Sequence, residues 1–311
     1  MPVRRPPPAA PAGESLAEVL AEVRRIEVQS SRLVTDVLAG GYRSTFRGAG
    51  VEVADVREYV EGDDPRAVDW NVTARLGRPF VKRFVEEREL SVVFVLDLSA
   101  SLDGGVGAWS LRQLAARFCA LLGLAAITNN DRIGLVAGSA AVERVVLPRA
   151  RAPHVLRVVR DCLVLRGAAP RGDLAPLLAR TVQRVRRRTV VFVLSDFAGE
   201  GWATPLAVAA RRHDVVAVRL VPREHVAPPS VLLRTVDPET GGAATIDFAH
   251  PAVRAAWLAR CAAERDRVGD LLRRARVDRI ELEGPARPDV AAVARPLLRF
   301  FRMRERREAK R

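Results

Sequence analysis

The run LDLSAS, residues 96–101, sets one aspartate and two serines at alternating positions behind the apolar stretch SVVFVLD. A second apolar stretch, TVVFVLSD, ends the same way on Asp196. Such a run could carry a nucleophile, a phosphate cradle or a metal seat. Asp97, Ser99, Ser101 and Asp196 together offer two hydroxyls and two carboxylates, a hard, all-oxygen set that suits Mg²⁺ or Mn²⁺ and does not suit zinc. Neutral hydroxyls as direct ligands leave a divalent ion partly uncompensated, so it would seek a carboxylate from outside. The plain alternative for Ser99 and Ser101 is a helix cap ahead of the periodic run WSLRQLAARF.

Other chemistries are less well supplied. A phosphatase that works through a phosphoaspartate needs a second aspartate two residues after the nucleophile, and Ser99 stands there. No GxxxxGK[ST] loop is present for nucleotide phosphates. The stretch VAGSA around Ser139 lacks the last glycine of a nucleophile elbow, and the four histidines show no HExxH spacing. A metal-dependent phosphoester hydrolase using the same rim stays as the enzymatic alternative.

The elements that must position these residues follow from periodicity. Apolar residues recur at helical spacing over residues 14–38, up to Gly40-Gly41. From Ser91 onward strands alternate with helices. SVVFVLD, RIGLVAG, AVERVVLP, RTVVFVLSD, DVVAVRLV and VDRIEL read as strands. WSLRQLAARFCALLGLAAI, PHVLRVVRDCLVL, DLAPLLARTVQRV, 204–212, 250–274 and 288–303 read as helices, with a turn-rich pair at 230–248. Such alternation predicts an α/β fold, a doubly wound, mostly parallel sheet with helices on both faces. Ligands of such sheets sit beyond the carboxyl ends of the strands at a topological switch point, so LDLSAS and Asp196 should share one rim.

Composition bounds the partners. The chain has 311 residues and a formal charge of +14, but only Lys82 and Lys310 are lysines, so the excess is arginine, as a GC-rich codon bias would produce. Its densest clusters, RVRRR, LLRRAR and RMRERREAKR, have no interleaved aromatics for base stacking. Arginine-driven nucleic-acid binding is therefore only an alternative, which counterion release would make steeply salt-dependent. Cys119, Cys162 and Cys261 are scattered and odd in number, which favours free thiols in a reducing cytoplasm. No apolar region follows the basic N-terminal residues as in a secretory signal, and the apolar run from Phe118 is short for a bilayer, so no membrane span is expected.

The most distinctive stretch precedes the sheet. Over residues 42–90, Asp63, Asp64, Asp69, Glu86 and Glu87 alternate with Arg57, Arg66, Arg75, Lys82 and Arg88, with Tyr59, Trp70 and Phe84 as apolar anchors. One reading is a compact segment pinned to the sheet by aromatic burial and paired charges. The other is a docking surface.

The order RGxGxEVxDxREYxxGDDPRxxDWxxxARxxxPxVKxFxEExE, followed by a strand ending DxSxS, resembles the bacterial "domain of unknown function 58" family over roughly residues 15–300. The spacing DxSxS with a later strand-end aspartate is similar to the metal-ion-dependent adhesion site of von Willebrand factor A domains. The resemblance implies a von Willebrand factor A-like domain at 91–303, a helix and family-specific segment at 15–90, a disordered tail at 1–14 and a basic tail at 304–311. It implies that Ser99 and Ser101 bind Mg²⁺ or Mn²⁺ directly and that Asp97 and Asp196 act through waters. The threonine expected to complete the shell aligns with Gly172, which leaves Asp173 as the candidate for the missing oxygen. The family further implies an adaptor or co-chaperone that works with a MoxR-type AAA+ ATPase on a client protein. Many relatives carry two membrane helices where this chain has an amphipathic one, and the sequence holds no complete catalytic set, so a cytoplasmic, non-enzymatic member is expected. Arg57, Tyr59, Asp63, Asp64, Arg66, Asp69, Trp70, Lys82 and Glu86 are then its docking residues.

Overall fold

The structure is a computed structural model, and it describes residues 16–33, 52–85, 90–185 and 187–309. A six-stranded sheet forms its centre, built from β3 (Ser91–Asp97), β4 (Arg132–Gly138), β5 (Val142–Arg149), β6 (Val190–Ser195), β7 (Asp214–Val221) and β10 (Asp278–Glu283). The strands run in the order β10-β7-β6-β3-β4-β5, all parallel except β5, which pairs antiparallel with β4. The chain moves from β3 outward to β4 and β5, then returns to place β6 on the other side of β3. The boundary between β3 and β6 is thus the switch point.

Successive side chains of a strand face opposite ways, and β3 shows why two cores result. Val92, Phe94 and Leu96 point into one core, Val93 and Val95 into the other. The first core is closed by α1 (Leu16–Leu33), α3 (Leu111–Thr128), α4 (Ala152–Val164) and α8 (Ala291–Glu308). The second is closed by α5 (Leu174–Arg184), α6 (Ala203–Arg212) and α7 (Pro251–Arg274). Phe118 of α3 meets Phe94 and Phe192 at ring separations of 6.3 and 5.5 Å, which pins the central helix over the two strands that carry the site. By length and composition α3 could cross a membrane, but 83% of it is buried in this core. Cys119 and Cys162, 3.8 Å apart, are buried free thiols there.

Helix α1 docks through Val23 and Ile26, and its Glu22 forms an ion pair with the buried Arg117, whose guanidinium lies 3.9 Å above the Trp109 ring. The tail at 1–14, the end of the first helix near Gly40-Gly41 and the acidic pair Glu86 and Glu87 lie outside the described residues. The last helix corrects one expectation. It starts at Ala291 rather than at 288 and continues through most of the supposed basic tail to Glu308. Arg304 donates to Asp214 at 2.6 and 2.8 Å and to Asp278 at 2.9 Å, so the basic end is tied to the feet of β7 and β10.

Two smaller units stand apart from the sheet. β1 (Glu52–Glu58) and β2 (Phe80–Val85) form an antiparallel pair that frames a one-turn helix at Pro65–Ala67 and α2 (Trp70–Leu76). β8 (Leu232–Val236) and β9 (Ala243–Asp247) form a hairpin between β7 and α7.

Candidate functional site

Parallel pairing of β3 with β6 brings the two strand ends together, because Leu96 is in register with Leu194. The strand ends Asp97 and Ser195 and the loops leaving them, with Ser99, Ser101 and Asp196, form the polar centre of the rim. Asp97 is 5% exposed and Ser99 1%, so both belong to the protein interior. Asp97 Oδ1 accepts the Ser99 backbone N–H at 2.8 Å, and its Oδ2 accepts the Ser195 hydroxyl at 2.7 Å. Ser195 Oγ in turn accepts the Phe197 N–H at 3.0 Å. The two serine hydroxyls of the DxSxS run lie 3.1 Å apart, and Ser101 Oγ donates to Asp196 Oδ2 at 2.7 Å. Asp196 Oδ1 accepts the Ala198 N–H at 3.0 Å.

Helix capping does not account for this arrangement. Ser110 caps α3 in a reciprocal box with Gln113, at 3.2 and 3.3 Å. Ser99 precedes only a short turn at Ala100–Asp103 and makes no side-chain cap bond. Its hydroxyl lies against that of Ser101, which in turn donates to Asp196. Ser139 is also accounted for. Its hydroxyl donates to Glu143 Oε1 at 2.7 Å and accepts the Ala169 N–H at 3.1 Å, which fastens the turn between β4 and β5 to the loop before α5.

Electrostatics make the cluster costly without a counter-charge. Burial pushes the Asp97 carboxyl above its ordinary range, and the nearby Asp196 pushes it the same way, against the bonds from Ser99 and Ser195. Two carboxylates and two hydroxyls converging on a desolvated rim match the donor set of a hard divalent cation. Among the described residues, no group of three or more histidine, cysteine, aspartate or glutamate side chains gathers in metal-binding fashion. Hydroxyls would therefore have to supply about half of any protein shell here.

Gly172 lies directly over this rim. A Cβ placed on it would stand 2.5 Å from Asp97 Oδ1 and 3.0 Å from Ser99 Cβ, so the loop can come this close only because the residue has no side chain. Asp173 does not replace the missing oxygen in this geometry. Its carboxylate caps α5 by accepting the Ala175 N–H at 2.8 Å, and its side chain is exposed. The neighbour on the other side, Arg171, reaches Glu239 at 3.9 Å. Glu239 sits on the β8–β9 turn, which Asp237 rigidifies by accepting the Glu239 N–H at 2.9 Å and the Thr240 hydroxyl at 2.7 Å. Burial lifts the Glu239 carboxyl, as do the charges of Asp196, Asp237 and Asp97, while Arg171 opposes the shift. The hairpin thus brings a third acidic group into the field of the rim. Sequence reasoning missed Ser195, Arg171 and Glu239. The serine of LSD could have been found as a partner for a buried strand-end aspartate, but the turn DPETGG gave no hint of what it faces.

The docking candidates form a local unit of their own. Arg57 clasps Asp63 with two bonds of 2.7 and 2.6 Å, and the guanidinium holds that carboxyl below its ordinary range. The Tyr59 hydroxyl donates to the Asp63 carbonyl at 3.3 Å. Asp64 accepts the Arg66 backbone N–H at 2.9 Å, and Asp69 caps α2 through the Asn71 and Val72 N–H groups. Lys82 lies on β2 opposite Val56. Trp70 overturns the expectation of an apolar anchor, because it is 72% exposed on the first turn of α2. Capping by Asp69 fixes the helix start, and that start turns Trp70 outward.

Comparison with known proteins places this geometry in context. Residues 55–267 match the sequence family described as "Protein of unknown function DUF58". Uncharacterized proteins of Mycobacterium tuberculosis (Rv1480) and Mycobacterium bovis (Mb1516) are each 34% identical over 218 residues, 69% of this chain and 68% of theirs. Among solved structures, the conserved hypothetical protein BatB of Bacteroides thetaiotaomicron aligns over 69% of this chain and 99% of its own, with 12% identity and a TM-score of 0.41. An aerotolerance-related membrane protein of Bacteroides fragilis aligns over 70% and 99%, with 12% identity and a TM-score of 0.40.

Proposed function

The chain belongs to this DUF58 family, and from that membership we propose that it is a non-enzymatic, cation-dependent protein-interaction module of the cytoplasm. The carrying observation is the convergence of Ser99, Ser101 and Asp196 at the switch point, above a buried Asp97 whose two oxygens are already engaged. The donor set fits Mg²⁺ or Mn²⁺. Ser99 and Ser101 would hold the ion through their hydroxyls, Asp196 would supply the adjacent charge, and Asp97 would orient the DxSxS loop from behind. A bound ion supplies a positive centre able to accept an acidic side chain from a partner.

The sheet rim and the exposed Trp70 are two surfaces by which one chain could bridge two proteins. On this reading a MoxR-type AAA+ ATPase supplies mechanical work, and the chain links it to a client; that part rests on family-level analogy. An enzymatic reading finds less support, since Ser139 is bound to Glu143 and each rim carboxylate is held by serine or backbone donors.

The test is recovery of partners on immobilised protein in Mg²⁺ and in EDTA, for the wild type and for Ser99→Ala/Ser101→Ala. Loss of the same partners in EDTA and in the variant supports the reading. Equal recovery in all four conditions overturns it.

A further inference from the structure

A groove of about 680 Å³ runs along the outer side of β10, far along the sheet from the β3/β6 rim. β10 is the last strand of the sheet. Its inner edge pairs with β7, and its outer edge carries no strand among the described residues. Residues from both faces of β10, Ile280 from one and Arg279, Glu281 and Glu283 from the other, line the groove, so it opens on the strand edge itself. Helix α8 forms the second wall through the run Ala292, Arg295, Pro296, Arg299 and Met303, positions that share one helical face. Pro296 has no N–H, so the Ala292 carbonyl is left without its helical donor in the wall of the groove.

The charge of this groove is lopsided. Arg223, Arg265, Arg279, Arg295 and Arg299 line it against only Glu281 and Glu283. Arg265 is bound to Glu281 and reaches Glu283 at 3.4 Å, and Arg279 stands 3.8 Å from Glu281. That uses up both acids. Arg223, Arg295 and Arg299 have no ion-pair partner among the described residues, and Arg295 and Arg299 are exposed. Arg223 is fixed at the far end of the strand, where its backbone comes within 3.3 Å of a Cβ placed on Gly284.

An unpaired strand edge is a template for another strand, and natural proteins usually blunt it with charge, cover or a bulge. Here the charges left once the two glutamates are paired are all of one sign, and they line the groove that opens on this edge. We propose that the β10 edge is a docking groove for an extended acidic peptide of a partner protein, which adds a strand to the sheet and sets its carboxylates against Arg295, Arg299 and Arg223. Main-chain hydrogen bonds along β10 supply the affinity and the guanidinium forks supply the preference for acid. At about 3.3 Å per residue, the six residues of β10 present an edge about 20 Å long, enough for a peptide of about six residues. This inference does not depend on the cation rim and survives its failure.

The test uses the full chain and a fluorescein-labelled octapeptide of alternating Glu and Thr, read by polarisation at fixed salt. The expected result is saturable binding, weakened at least about tenfold in Arg295→Glu/Arg299→Glu, a loss of about 1.4 kcal/mol or more. A peptide N-methylated at alternate residues should bind at least as poorly to the wild type, because it cannot complete the ladder. Hydrogen exchange should slow at the amides of residues 279–283 when the unmodified peptide is bound. Both substituted positions are exposed, and an unchanged melting temperature confirms that the variant is folded. Equal binding of the N-methylated peptide, tighter binding of a DNA duplex or of inorganic phosphate, or no binding of the peptide would each overturn the proposal.

Discussion

Arg171 and Glu239 stand 3.9 Å apart, and that ion pair ties the tip of the β8–β9 hairpin to the loop that carries Gly172 across Asp97. A distant insertion between β7 and α7 is thereby joined to the rim between β3 and β6. The pair sets two charges of opposite sign beside one prospective cation.

Those two charges should act in opposite directions. Removing the negative one with Glu239→Gln is expected to weaken Mn²⁺ binding by about two- to fivefold, as a screened interaction below ~1 kcal/mol would. Arg171→Ala should strengthen it by a similar factor. Titration calorimetry with Mn²⁺ reads both, and shifts of the same sign in the two variants would contradict this account.

Gly172→Thr tests whether the expected adhesion-site residue can simply be restored. Its Cβ would stand 2.5 Å from Asp97 Oδ1, so the loop must move. Overpacking of this kind costs about 1–3 kcal/mol. Urea denaturation without added metal should show that loss, and saturating Mg²⁺ should recover part of it if the displaced loop then offers the threonine oxygen.

Trp70→Ala separates docking from folding. A side chain that is 72% exposed contributes little to the core, so the midpoint of unfolding should change by no more than about 0.5 kcal/mol in free energy. Recovery of a partner that uses this segment should fall sharply. A large drop in stability instead would return Trp70 to the role of anchor.

His213 gives the fold an acid limb. It is buried behind α6, both ring nitrogens lack a hydrogen-bond partner among the described residues, and burial together with Arg212 holds its pKa below the ordinary 6.5. A base whose folded pKa is depressed contributes stability that is present above 6.5 and lost as the pH falls from there through the folded value. Melting temperatures measured from pH 7.5 down to 5 should therefore decline less steeply in His213→Leu than in the wild type.

The doubly wound sheet was legible in the sequence because buried parallel strands read as unbroken runs such as SVVFVLD and TVVFVLSD, separated by helical periodicity. The same runs ended on the polar residues of the rim, so Asp97, Ser99, Ser101 and Asp196 could be named before any coordinates. Asp173 and Trp70 were misjudged for one shared reason. Whether a polar residue caps a helix or faces a site, and whether an aromatic turns inward, depends on where a helix starts to within one residue. Glu239 and Arg171 were invisible because their relation exists only across a loop-to-hairpin contact. The end of the last helix is held through Arg304 by Asp278 and by Asp214, the latter 90 positions away, a relation that no local pattern carries.

Ser101 and Asp196 are 95 positions apart, and Asp97 and Ser195 are 98 apart. Between them the chain must complete β4, β5 and the three helices α3, α4 and α5 and then return to lay β6 against β3. During synthesis the first half of the rim therefore emerges long before its counterpart, and neither half alone holds the full set of oxygens. Closing such long-range parallel pairing is slow compared with forming helices. If the proposed cation site forms, affinity for a divalent ion would arise only in the late steps of folding, and cation uptake would then mark the moment at which the centre of the sheet closes.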